Sequence, residues 1–178
     1  GGCAGSYEAY SASVDDLDNW TYEGVLYDKT KDPGYQPGMN LLASDCVEKD
    51  GKYYLFYSAM KSGPKYPRFI DAWLLGSMIG VAVSDSPYGG YKDIGIVYNK
   101  DGYRPDSCSW DAQSVHNPHI KRYNGKYYLY YCATVDPGGN AHVKGKLSRR
   151  DRLQQNQKLG VLCFNSCLLY TSDAADDR

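Results

Sequence analysis

Several common features are missing from this chain, and each absence excludes something. No apolar run approaches the roughly 20 residues that a helix needs to cross a bilayer, so a transmembrane helix is excluded. Charge of one sign is not in excess: 20 Lys and Arg face 21 Asp and Glu, for a net charge of −1. That balance gives neither the basic footprint of a nucleic-acid binder nor a polybasic membrane surface. The chain starts at Gly1 without Met, and no basic-then-apolar stretch marks a secretory signal. Its six cysteines (Cys3, Cys46, Cys108, Cys132, Cys163 and Cys167) include no CxxC pair and no Cys/His cluster at zinc spacing. They read as small buried hydrophobes. Phenylalanine is scarce, at 3 residues, whereas tyrosine and glycine each reach 19. Tyrosine combines strand propensity with an aromatic face and a polar tip, which suits sheets around a wet pocket.

The chain also repeats itself. DGKYYLFYSA at Asp50 to Ala59 returns as NGKYYLYYCA at Asn124 to Ala133, a shift of 74. IGVAVSDS at Ile79 to Ser86 returns as LGVLCFNS at Leu159 to Ser166, a shift of 80. WTYEGVLYDK at Trp20 to Lys29 returns as YKDIGIVYNK at Tyr91 to Lys100, and Tyr27 to Tyr98 is a shift of 71. Three pairs in the same order define one recurring unit.

Each unit reads as four strands. In the central copy these are Ala43 to Lys49, Lys52 to Ala59, Met78 to Asp85 and Tyr91 to Tyr98. Asp50-Gly51 is a two-residue hairpin signal, and Ser86-Pro87 with Gly89-Gly90 makes a second turn. Short strands at regular spacing exclude a helical or βαβ reading, and four-stranded units repeated every 70–80 residues or so are the pattern of propeller blades. The expected fold is therefore all-β, a β-propeller fragment. It holds one complete four-stranded blade, the last two strands of a preceding blade (about Cys3 to Tyr27) and the first three of a following one (about Val115 to Ser166). A closed ring of about five blades would need roughly 350 residues.

In a propeller the innermost strand of each blade lines the central channel, so polar residues opening those strands face the pocket. Asp45 opens that strand in the whole blade, and His116, Asn117 and His119 open its counterpart. A carboxylate at an apolar strand start is costly unless it is hydrogen-bonded or used. A turn-capping role for Asp45 and a structural role for either histidine stay open, as does the question of which histidine points inward.

The run LLASDCVEKDGKYYLFYSA followed by IGVAVSDSPYGGY resembles glycoside hydrolase family 43, whose members show an Ala-Pro-Asp motif ahead of similar strands. YSASVDDLDNWTYEGVLYDK is similar to the family's stretch between its first and second blades. The resemblance covers about Gly5 to Tyr98 and continues less typically to Ser166. It implies a five-bladed propeller and an inverting glycosidase with an Asp base, a Glu acid and a second Asp that tunes the acid. Such carboxyls flank the scissile bond about 6.5–9.5 Å apart, leaving room for water. By motif Asp45 corresponds to the tuning Asp. The base is expected before Gly1 and the acid beyond Ser166, so the fragment itself is expected to be inactive. Ser44 stands where the family usually has Pro, and Asn117-Pro118 where many members have Asp-Pro. Asn117 cannot ionise and is a sugar-binding candidate only.

The implied partner is an oligosaccharide or polysaccharide containing arabinose or xylose, with no nucleic acid or membrane involved. Trp110 offers a flat face for sugar stacking or for the core, and Trp73 is a candidate for the pocket rim, while Asp111 reads as a turn residue. No cofactor is required by the spacing, and no EF-hand-like loop is present. By resemblance alone, a structural calcium ion on the channel axis is allowed and a secreted or periplasmic setting is favoured. A catalytically silent carbohydrate-binding propeller, or a related hydrolase of fructosides or other sugars, is the alternative. The end of the chain, Cys167 to Asp177, reads CLLYTSDAADD, which a transposase-type sequencing adapter can encode. Residues 1–166 are therefore expected to form the propeller domain and 167–178 a non-biological tail.

Overall fold

The computed structural model describes residues 5–32, 39–61, 76–98, 110–111, 114–134 and 157–164. Trp73 and the tail at 167–178 lie outside the described residues.

Among the described residues nine strands fall into three antiparallel sheets. β1 (Ser6–Ser13) and β2 (Asp16–Asp28) form a hairpin. β3 (Met39–Lys49), β4 (Lys52–Lys61), β5 (Ser77–Ser84) and β6 (Lys92–Tyr98) form a four-stranded meander in that order. β7 (Ser114–Tyr123), β8 (Lys126–Thr134) and β9 (Gln157–Phe164) form the third sheet. These are the two, four and three strands expected from the repeats. The first hairpin of each repeat turns on an Asx-Gly pair with both residues at positive φ: Asp50 at 53° and Gly51 at 76°, then Asn124 at 48° and Gly125 at 73°. This is the backbone that matches the twist of the flanking strands, and Asn, Asp and Gly reach it at least cost.

The three sheets stack face to face, with the four-stranded sheet in the middle. Alternation along β4 divides its side chains between two cores. Tyr54 and Phe56 pack with Ile79, Val81 and Tyr98 against Val115, Ile120, Leu129 and Tyr131 of the third sheet. Leu55, Tyr57 and Ala59 pack on the other face with Met78 and Ala82 against Tyr27 of β2. Burial of both faces explains why β4 and β5 read as nearly continuous apolar runs. Cysteine does not follow the expectation of burial: among the described residues Cys46 and Cys163 are exposed, Cys132 is half-buried, and all three are free thiols. Cys163 sits at a strand position turned away from the third sheet's core, so alternation outweighs residue type there, whereas Cys46 shares a face with Leu55 and reaches the rim of that core, its Sγ 3.4 Å from Tyr91 Oη.

One inter-sheet lock occurs twice. The tyrosine ending the outer strand of one sheet meets a tyrosine of the next sheet: Tyr27 with Tyr57 at 5.4 Å between ring centroids, and Tyr98 with Tyr131 at 5.1 Å. Each receiving tyrosine lies over a glycine on its neighbouring strand. A Cβ added at Gly80 would stand 2.2 Å from Tyr57 Cζ, and one at Gly160 2.5 Å from Tyr131 Cζ. Tyr57 cannot swing aside, because it is buried and its hydroxyl is held by Asp93 and Lys29. Gly80→Ala is therefore expected to destabilise the chain by about 1–3 kcal/mol. Denaturant melts of the two proteins check this, and an unchanged midpoint would contradict the lock.

Candidate active site

The inner strands β3 and β7 lie side by side at the inner edges of their sheets, and β7 packs on β3, β4 and β5. Both are interrupted at the same repeat position. In β3 the register steps from Leu42 opposite Ser58 to Ser44 opposite Tyr57, which leaves Ala43 as an extra residue. In β7 it steps from His116 opposite Cys132 to His119 opposite Tyr130, across Asn117 and Pro118. Such bulges re-aim the side chains that follow them. Asn117 takes φ +53°, a left-handed conformation that Asn tolerates better than most residues, and its N–H donates to the buried Ser58 Oγ at 2.8 Å.

Asp45 and His119 hold the same repeat position just past these interruptions. Asp45 lies opposite Phe56 and His119 opposite Tyr130. Their side chains meet, with His119 Nδ1 2.8 Å from Asp45 Oδ2. The carboxylate is further held by two backbone donors: Ile120 N–H to Oδ2 at 2.9 Å and Cys46 N–H to Oδ1 at 2.9 Å. Two backbone donors and the imidazole nitrogen beside them offset the cost of withdrawing this group from water, since its side chain is only 29% exposed. The His119 side chain is 54% exposed, and its ring tilts over Tyr130 at 6.3 Å. A carboxylate and a half-open imidazole thus share one solvent-facing spot, and the exposed Asn117 lies two residues before the imidazole in β7.

The other candidates lie deeper. His116 is fully buried, and burial lowers its pKa to about 4, so at neutral pH the ring is uncharged. Its repeat counterpart is Leu42. The unfolded chain, with an ordinary value near 6.5, takes up this proton before the folded one does. The neutral ring's contribution to stability is therefore complete above about pH 6.5 and is lost as pH falls toward 4, a change on the order of 3 kcal/mol. His116→Leu is expected to remove that part of the acid dependence. Denaturation at pH 7, 5 and 4 checks it, and parallel curves for the two proteins would contradict it.

Trp110 lies flat on Tyr131, with ring centroids 5.8 Å apart and planes 18° apart, and its edge borders Gly160. That ring face serves the third sheet's core. Asp111 does sit in a turn, but it is buried and accepts hydrogen bonds from the hydroxyls of Tyr98 and, at 3.2 Å, Tyr131. Among the described residues no group of three or more His, Cys, Asp or Glu side chains is placed to hold a metal ion.

Sequence reading missed two features. It did not pair Asp45 with His119, although the same 74-residue shift that aligns the hairpins carries one onto the other. It also gave no role to Lys29, which is buried with Nζ 2.9 Å from Tyr57 Oη and 2.7 Å from Asp93 Oδ2. Burial, and next the Asp93 charge, raise the Tyr57 pKa, so its hydroxyl stays protonated and donates to Asp93 Oδ1 at 2.5 Å.

Sheets stacked about shared inner strands, with polar groups collected where those strands meet, define a propeller that builds a pocket at its axis. A solved structure agrees: Zg3597, a family 117 glycoside hydrolase from the marine bacterium Zobellia galactanivorans, superposes with a TM-score of 0.59 at 25% identity, over 90% of this chain and 39% of that one. The model of glycosyl hydrolases family 43 matches residues 6–114, and the chain belongs to that family. A protein of Thermoclostridium stercorarium described as a xylosidase/arabinosidase is 35% identical over 150 residues, 82% of this chain. The chain spans 28% of that relative's length.

Proposed function

We propose that this chain supplies part of the central pocket of a glycosidase that hydrolyses O-glycosidic bonds in arabinose- and xylose-containing glycans with inversion. The single observation carrying this reading is the Asp45–His119 contact at 2.8 Å, which joins the starts of two inner strands into one solvent-facing polar site. Membership of family 43 supports the reaction class, and the xylosidase/arabinosidase relative supports the pentose substrate. Asp45 is the tuning carboxylate, and His119 and Asn117 contact sugar hydroxyls. His116 and Trp110 hold β7 and β8 in place behind them. Residues 1–166 belong to the propeller domain and 167–178 to a tail without a part in it. A general base and a general acid on opposite sides of the bond come from strands other than β1 to β9.

The test is hydrolysis of aryl α-L-arabinofuranoside and aryl β-D-xyloside by the full-length enzyme that carries these residues, with the first-formed anomer followed by NMR. Turnover of one or both with inverted product is expected, and the 178-residue chain alone is expected to give no enzyme-like rate. Binding of pentosides without turnover by the full-length protein would favour the silent carbohydrate-binding reading instead. Turnover of fructosides alone would move the assignment to another sugar class.

A further inference from the structure

The Asp45–His119 contact constrains more than position. A carboxylate carries only acceptor oxygens, so at 2.8 Å from Oδ2 the imidazole nitrogen facing it, Nδ1, is the one that carries a proton. Asp45 cannot turn away, because both of its oxygens are pinned by backbone N–H groups from Cys46 and Ile120. The opposite tautomer would set a ring lone pair against the carboxylate at 2.8 Å. With Nδ1–H fixed in this way, the neutral ring has its lone pair on Nε2. Among the described residues no protein group occupies Nε2, and the ring is more than half exposed.

We propose that Asp45 and His119 act as one unit, in which the carboxylate fixes the proton on Nδ1 and the ring presents its Nε2 lone pair to a hydroxyl of the bound sugar. Asp45 is the positioning residue and His119 the group that touches the ligand. The ligand must then bring a hydrogen-bond donor to this spot. A sugar hydroxyl satisfies that, whereas a phosphate, carboxylate or carbonyl oxygen meets a lone pair and is rejected. The ligand class rests on the glycosidase reading, but the fixed tautomer does not. The unit is made from equivalent positions of two repeats, one filled by Asp and the other by His, so neither repeat alone contains it.

Two-bond proton–nitrogen correlation spectra of the 178-residue chain, with imidazole nitrogens labelled, test both halves. The spectra are recorded at about pH 9, above the ordinary imidazole range. The His119 signals, assigned by their loss in His119→Gln, are expected to show a pyrrole-type Nδ1 and a pyridine-type Nε2. In Asp45→Ala, with an unchanged circular dichroism spectrum, they are expected to revert to the Nε2–H form usual for free imidazole. Methyl α-L-arabinofuranoside or methyl β-D-xyloside is expected to shift the His119 Nε2 resonance. Asp45→Ala is expected to weaken that binding about five- to tenfold, the worth of one hydrogen bond. A wild-type ring with Nε2–H overturns the unit whatever the sugars do. A ring in the expected tautomer that neither pentoside shifts leaves the unit standing and overturns the sugar as its ligand.

Discussion

Lys29→Ala is expected to lower the melting temperature by roughly 6–12 °C, the counterpart of about 3 kcal/mol in a chain of this size. Lys29 sits in the short 3-10 turn after β2, yet its ammonium lies against the second sheet, 2.7 Å from Asp93 and 2.9 Å from the Tyr57 hydroxyl. Asp32 stands 4.0 Å away and accepts from the Tyr27 hydroxyl at 2.6 Å. Removing the cation leaves two carboxylates and two protonated tyrosines facing each other, with only partial access to water. Breaking a buried pair from one side costs far more than the pair itself contributes, because the remaining charge stays desolvated. A second variant separates this from loss of packing: Lys29→Met with Asp93→Asn is expected to recover much of what Lys29→Met alone loses. Scanning calorimetry reads both, and a shift of under about 2 °C for Lys29→Ala would show that the sheets are not joined through this cluster.

The second large effect concerns activity. Asp45→Ala in the full-length enzyme is expected to lower kcat/KM about 10²- to 10³-fold while leaving the melting temperature much less affected. The carboxylate holds backbone donors from two sheets and the His119 ring beside them, and without it the ring loses both its tautomer and its orientation. Loss of kcat with KM nearly kept would mean that the pair acts on the reacting state, whereas a rise in KM alone would mean ground-state sugar binding. Equal activity of the two proteins would remove Asp45 from the site.

The architecture was legible because its signals are local and repeated. Asp50-Gly51 and Asn124-Gly125 announce identical turns, and the tyrosine-rich strands that follow them recur at one spacing. Burial of both faces of β4 and β5 erases the polar alternation of a solvated sheet, but the turns still mark the strand ends. The pocket was legible only as a set of strand openings. Asp45, His116, Asn117 and His119 were all named, but nothing local says that a bulge at Asn117-Pro118 drops His116 into the core and lifts His119 into solvent. The register change is set by pairing with β8, a non-local property. Trp110 poses the same problem: its flat face suits a sugar, and only the glycine at 160 on another strand reveals the slot that receives it. Lys29 was overlooked because a lysine beside a turn usually points to water. Here two tyrosine hydroxyls and an aspartate from a different sheet make burial affordable, and only the packed sheets bring them within reach.

The account depends on two neighbouring sheets bringing Asp45 and His119 together to work as one group. A double-mutant cycle in kcat/KM on the full-length enzyme, comparing Asp45→Ala, His119→Ala and the two combined, addresses this most directly. The double variant is expected to lose no more than the worse single one, because either change alone dismantles the unit. Losses that multiply, as for two independent positions, would contradict it.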